Sequence, residues 1–205
     1  MQYLEFRNRM FDMGCFHLNQ IYAWDAGFDR NNLMRWIKKG YITRLKQGWY
    51  AFTEYRTKPD FAQYIASRIY QPSYISLHTA LSFYGIIPEA VVQITSVTSL
   101  KTMTLKNDFG EYSYKSVKSN LMFGYELKPL ADGRTIPFAE PEKALLDLLY
   151  LYPFYNTRRE LEELRLDNDF MSDELNTQRL YEYLSRFGSQ ALEYRTNLLL
   201  KIYEL

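Results

Sequence analysis

The run from Gln71 to Ser99, QPSYISLHTALSFYGIIPEAVVQITSVTS, leaves little freedom in how the middle of this chain folds. Tyr74 and Ile75 follow Pro72 in extended conformation, and Leu77, Leu81 and Tyr84 then recur at the three-to-four-residue interval of a helix with an inward apolar stripe. Gly85 ends that helix, and Pro88 prevents an immediate restart. Val91, Val92, Ile94, Thr95, Val97 and Thr98 supply the β-branched run of a buried strand. The prediction is a short strand, helix, strand unit. It holds no Gly-rich phosphate loop and no nucleophile with a spaced base, so it reads as scaffold and implies no cofactor.

The chemistry must come from the flanks. A chain of 205 residues can bury a core without disulfides, and its length predicts two domains. Charged residues make up 24% and aromatic residues 17%, a globular balance with little room for long disorder. The net charge of +1 hides an asymmetry: residues 1–58 carry ten Lys or Arg against five Asp or Glu, and the rest is net acidic. One end is therefore suited to a polyanion. The single cysteine, Cys15, cannot form an internal disulfide, and two histidines with one cysteine are too few for an ordinary zinc site. The N-terminus MQYLEFRNRM is charged where a signal peptide needs an apolar run, and no segment approaches about 18 uninterrupted apolar residues. The expectation is a soluble cytoplasmic protein that does not engage a membrane.

Within the basic end, residues 1–15 fit a first helix with Leu4, Phe6, Met10 and Phe11 as its apolar set, and HLNQIYAW fits a second with Leu18, Ile21 and Tyr22 on one face. A third helix has Asp29 to cap it and Gly40 to close it, with Leu33, Trp36 and Ile37 on the inward face. Its opposite face is centred on Asn31, Arg35 and Lys38, with Arg30, Met34 and Lys39 at the margins. YITRLKQGWYAF then reads as a hairpin turning at Lys46, Gln47 and Gly48. This is the order of a winged helix-turn-helix, whose second helix of the pair enters the major groove while the wing follows the backbone. Asn31 suits adenine edges and Arg35 guanine edges, whereas Lys38, Lys39, Arg44 and Lys46 suit phosphates. The alternative is a winged helix used only for protein contacts, its cations solvated.

Thr57 to Asp60 is the expected linker, and Asp60 starts a helix carrying Phe61, Tyr64, Ile65 and Ile69. After Ser99 the pattern is a β meander, with turns at Asn107 to Gly110 and at Asp132-Gly133 before TIPFA. Helix signals resume at AEPEKALLDLLYLYP, with Pro141 in the first turn and Pro153 as the stop. Further helices are expected at about 157–166, 172–187 and 189–203. The predicted class is α+β: an N-terminal winged helix-turn-helix over 1–58, then an α/β domain over 59–205 with a helical C-terminal extension.

Taken together in this order, Gly48-Trp49-Tyr50 at the hairpin end, the block from Tyr74 to Glu89 and the block from Glu140 to Asp147 resemble the AbiEi family of bacterial antitoxins. The resemblance covers about residues 5–150. It implies a winged helix that represses its own operon by binding double-stranded DNA at inverted repeats in the promoter. It also implies a C-terminal domain that opposes a nucleotidyltransferase-like toxin of AbiEii type, as in type IV toxin and antitoxin pairs of phage abortive infection.

Other residues invite chemistry less strongly. Glu142 and Lys143 are adjacent on a helix and point about 100° apart, so a structural role for them and for Asp147 is expected. His78 lacks a nearby acidic partner in sequence and reads as packed, and Cys15 as a small buried hydrophobe. Glu126-Leu127-Lys128 with Asp108 or Glu111 upstream has the spacing of a PD-(D/E)xK magnesium nuclease, and an exposed strand alternating Glu and Lys has it too. Lys101, Lys106, Lys115 and Lys118 would give the meander a basic face for opposing a toxin directly or competing for an RNA substrate, and an ordinary solvated sheet face carries such lysines too.

Overall fold

Residues 2–205 are described by a computed structural model, in which the N-terminal part builds helices around a small sheet. Helix α1 (Tyr3–Met10) buries Phe6 and Met10 and continues as a 3₁₀ turn over Phe11–Met13. Leu4, expected on the inward face, is exposed. The helical path stops at Gly14, whose φ of +68° suits a residue without Cβ. Added there, a Cβ would lie 2.0 Å from Arg134 Nη1 and 2.7 Å from the Phe61 ring. Cys15 therefore lies beyond the helix, in strand β1 (Cys15–His17), which is too short to carry a periodic signal. Helix α2 (Leu18–Trp24) follows with a capping box, in which the His17 ring accepts from Asn19 N–H and Gln20 Oε1 accepts from His17 N–H. Ile21 is buried, while Tyr22 is exposed instead of lining the inward face.

Helix α3 (Asn31–Lys38) and strands β2 (Ile42–Lys46) and β3 (Trp49–Phe52) complete this part, with antiparallel strand order β1-β3-β2. Phe6 is the hub of its core, 5.4 Å from Phe16 and 4.5 Å from Trp36 between ring centres. A 3₁₀ turn at Thr53–Thr57 leads into α4 (Phe61–Ile69), and Tyr55 stacks on Phe61 at 4.4 Å. The segment expected as a linker is thus short and flanked by stacked rings.

The strand, helix, strand unit forms as β4 (Ser73–Ile75), α5 (Leu77–Phe83) and β5 (Gln93–Thr98), with β4 and β5 antiparallel neighbours. Val91 and Val92 fall before β5, and Val92 is exposed. Strands β6 (Met103–Asn107), β7 (Gly110–Ser116), β8 (Tyr125–Pro129) and β9 (Thr135–Ala139) do not form the expected meander. They are two hairpins placed on either side of β4 and β5, in the order β6-β7-β5-β4-β9-β8. The β5–β7 and β4–β9 pairs are parallel, and residues 117–124 carry the chain from one hairpin across the sheet to the other, where adjacent turns would have made a meander.

Helix α6 (Pro141–Leu151) packs its length inward, including Glu142, Lys143 and Asp147. Helix α7 (Arg158–Glu162) is shorter than expected, and the helix expected from Ser172 begins at Thr177 as α8 (Thr177–Phe187). Asn176 causes that break: its side chain caps α8 at Arg179 N–H (2.9 Å), while its own N–H donates to Glu142 Oε1 at 3.0 Å. A π turn at Phe170–Glu174 precedes it, and α9 (Gln190–Ile202) ends the fold. Buried apolar residues from both sheets and the C-terminal helices form one cluster. Among the described residues no helix is long and apolar enough to cross a membrane.

Candidate nucleic-acid interface

The basic residues expected to meet nucleic acid gather on the outer face of α3. Leu33 and Trp36 anchor the helix to the core, and Asp29 Oδ1 accepts from Asn31 N–H at 2.9 Å to start it. Burial of that stripe turns the other face outward: Arg30, Asn31, Met34, Arg35, Lys38 and Lys39 are all exposed. Met34 is the one large apolar residue there, 64% exposed. Arg35 Nη2 reaches Asp29 Oδ2 at 3.2 Å, a contact between two exposed groups that solvent weakens.

On the hairpin, Arg44 is exposed and its Nε lies 3.5 Å from the Lys46 carbonyl oxygen. Lys46 differs from the phosphate-contacting role expected of it. Its ammonium donates to the Ile69 carbonyl at 3.0 Å and lies 4.8 Å from the centre of the Tyr70 ring, and burial lowers its pKa. The hairpin is held to the larger sheet as well. Thr43 Oγ1 donates to Asp108 Oδ2 at 2.6 Å, Arg56 pairs with the same carboxylate, and Asn107 Nδ2 donates to the Leu45 carbonyl at 3.4 Å. These contacts join residues more than fifty positions apart, and no short-range pattern marks them.

The nuclease grouping is not assembled. Glu126 and Lys128 lie on β8 at one edge of the six-stranded sheet, whereas Asp108 and Glu111 lie in the β6–β7 hairpin at the other. Asp108 is engaged by Arg56 and Thr43, and Glu111 accepts from Lys106 at 2.5 Å. Among the described residues no cluster of three or more His, Cys, Asp or Glu could hold a metal ion. Of the four lysines expected on a meander, Lys106 pairs with Glu111 and the partly buried Lys115 lies over the Tyr152 ring at 5.6 Å, while Lys101 and Lys118 are exposed.

Cys15 is buried as expected, and burial pushes its thiol pKa up to about 12. His78 lines a cleft of about 460 Å³ together with Glu89, Thr95, Tyr152 and Tyr155, among others. Its ring packs edge-on to Tyr152 at 5.7 Å, and burial lowers its pKa. The cleft closes only where α5 and β5 meet the chain after α6, so no local pattern marks it. Comparison with protein-family models and with characterised proteins yields no match.

Proposed function

We propose that this chain is a DNA-binding transcriptional regulator that represses its own promoter, with residues 1–58 acting as a winged helix-turn-helix. The observation that carries the reading is the outer face of α3, where Arg30, Asn31, Arg35, Lys38 and Lys39 are exposed opposite the buried Leu33 and Trp36. A helix so anchored fits a major groove about 12 Å wide with its polar residues toward base edges and phosphates. In this reading Asn31 and Arg35 contact bases, Arg30, Lys38, Lys39 and Arg44 contact phosphates, and Lys46 positions the hairpin.

A second activity follows from the resemblance to AbiEi antitoxins: neutralisation of a nucleotidyltransferase-like toxin. Its support is that two of the three stretches carrying the resemblance meet in space. Tyr74 and Ser76 from the first donate to Asp147 of the second, at 2.9 and 2.8 Å, deep in the fold. A toxic nucleotidyltransferase encoded beside this gene, relieved by its coexpression, is the expected outcome. Unrelieved toxicity would remove the antitoxin role and leave the regulator standing.

The competing reading is a protein-interaction module whose winged helix does not read DNA. The inward turn of Lys46 and the Asp29 contact of Arg35 favour it. A gel shift of the purified protein on its own upstream DNA, at about 150 mM salt with excess nonspecific competitor, separates the two. The regulator gives a specific shift that survives competitor. A folded protein that gives no shift is the interaction module.

A further inference from the structure

Strand β8 ends the six-stranded sheet, and among the described residues its outer edge meets no other strand. Leu127 stands opposite Pro137, which has no N–H to donate, and Glu126 and Lys128 stand opposite Phe138 and Ile136. The same register continues on both sides, where Glu140 N–H donates to the Gly124 carbonyl (3.0 Å) and Leu130 N–H to the Arg134 carbonyl (2.7 Å). The even-numbered residues of β8 are therefore the ones bonded to β9. The N–H and carbonyl groups of Tyr125 and Leu127, and the carbonyl of Pro129, point to the free edge. Leu127 is 66% exposed and Tyr125 42%.

We propose that this edge pairs with the same edge of a second copy of the chain, antiparallel about a twofold axis at Leu127. Charge selects the partner and the register. With Leu127 opposite Leu127 of the second copy, Glu126 faces Lys128 and Lys128 faces Glu126. A slip of two residues in either direction would instead set Glu126 against Glu126 or Lys128 against Lys128. Glu126 makes no ion pair within its own chain among the described residues, so its carboxylate is available. The Lys128 ammonium lies over the rings of Phe83 and Tyr84 at 4.2 and 4.4 Å, which holds it beside the strand. The Leu127 residues would exchange two backbone hydrogen bonds, and each Tyr125 N–H would donate to the Pro129 carbonyl of the second copy.

Charged residues and a proline on an edge strand commonly guard against open-ended aggregation. Here they do so by permitting one closed, isologous pairing and ending it at Pro129. A contact along a five-residue strand falls short of the roughly 1,200 Å² of a stable interface, so the pairing is concentration-dependent. The proposal does not depend on DNA binding, and its test uses none.

Sedimentation velocity over a concentration series, paired with amide hydrogen exchange, tests it on the full chain. The mass rises from one chain toward two. Amides of Tyr125 and Leu127 gain protection with concentration, while those of Glu126 and Lys128, already bonded to β9, do not change. Glu126→Lys turns both opposite-charge contacts into like-charge ones and weakens association about tenfold. An equimolar mixture of the Glu126→Lys and Lys128→Glu proteins restores it, because opposite charges again face each other at both contacts. A mass of one chain up to about 1 mM, where an affinity of only about −4 kcal/mol would register, overturns the proposal. So does association that Glu126→Lys leaves unchanged, which would place the contact on another surface.

Discussion

Lys143 and Asp147 lie one helical turn apart on α6 with no exposed side-chain surface. Their ion pair is completed by Tyr74 and Ser76, and Lys143 Nζ also donates to Tyr74 Oη at 2.8 Å. Burial acts on both charges, raising the Asp147 pKa and lowering that of Lys143, so the contacts must offset a large desolvation cost. Removing one partner leaves an uncompensated buried charge: Lys143→Met or Asp147→Ala alone should lose about 3–5 kcal/mol in urea unfolding. The double change Lys143→Met with Asp147→Leu should lose less than either alone, and equal or additive losses would argue against a coupled pair. His78 makes a pH prediction. Burial lowers its pKa in the folded state below the ordinary 6.5, so the unfolded chain takes up the proton first as pH falls. Its stabilising contribution is fully present above pH 6.5 and is lost as pH drops below that value. The thermal midpoint of His78→Gln should therefore fall less between about pH 7 and pH 5 than that of the wild type. Helix spacing puts Lys143 and Asp147 in structural roles, and the lack of a nearby acidic partner puts His78 among packed residues. The partners of the ion pair are not legible, because Tyr74 and Ser76 are about seventy positions away from Asp147.

At the scale of elements, local pattern carried α3, the β2–β3 hairpin, α5 and α6. Each shows a full helical stripe or a turn with its glycine, so the signal lies within one element. The failures share a cause as well. Strand β1 exists because Gly14 turns the chain and β3 offers an edge, and neither fact is local to Cys15–His17. The true placement of the two hairpins depends on parallel pairing of β7 with β5 and β9 with β4 across the sheet. Gly14 allows a direct test. Gly14→Ala introduces a Cβ at a φ of +68° and against Phe61, and should lower stability by about 1–3 kcal/mol. A loss below about 0.5 kcal/mol in denaturant unfolding would mean that the turn relaxes freely.

Across the whole molecule, the hairpin after α3 is fastened to the larger sheet through Thr43 and Asn107 and to the end of α4 by Lys46, and Arg134 lies over the rings of Tyr55, Phe61 and Tyr64 at 4.5–5.3 Å. Helix α3 packs against strand β2 of this hairpin, so its basic face is backed by an element tied to the rest of the chain. In the proposed regulator this bracing fixes which of the predicted cations are free. Arg35 and Lys38 are exposed and Lys46 is not, a distinction that charge counting along the sequence could not make.

The central claim is that the outer face of α3 reads DNA, and anisotropy titrations over a range of salt concentrations test it most directly. They would compare wild type, Arg35→Ala and Lys38→Ala on the upstream duplex and on a scrambled one. Arg35→Ala should lose about 1–3 kcal/mol on the upstream duplex and little on the scrambled one. Lys38→Ala should weaken both evenly and reduce the salt slope by about one. If both variants bind both duplexes as the wild type does, α3 is not the reading surface and the account fails.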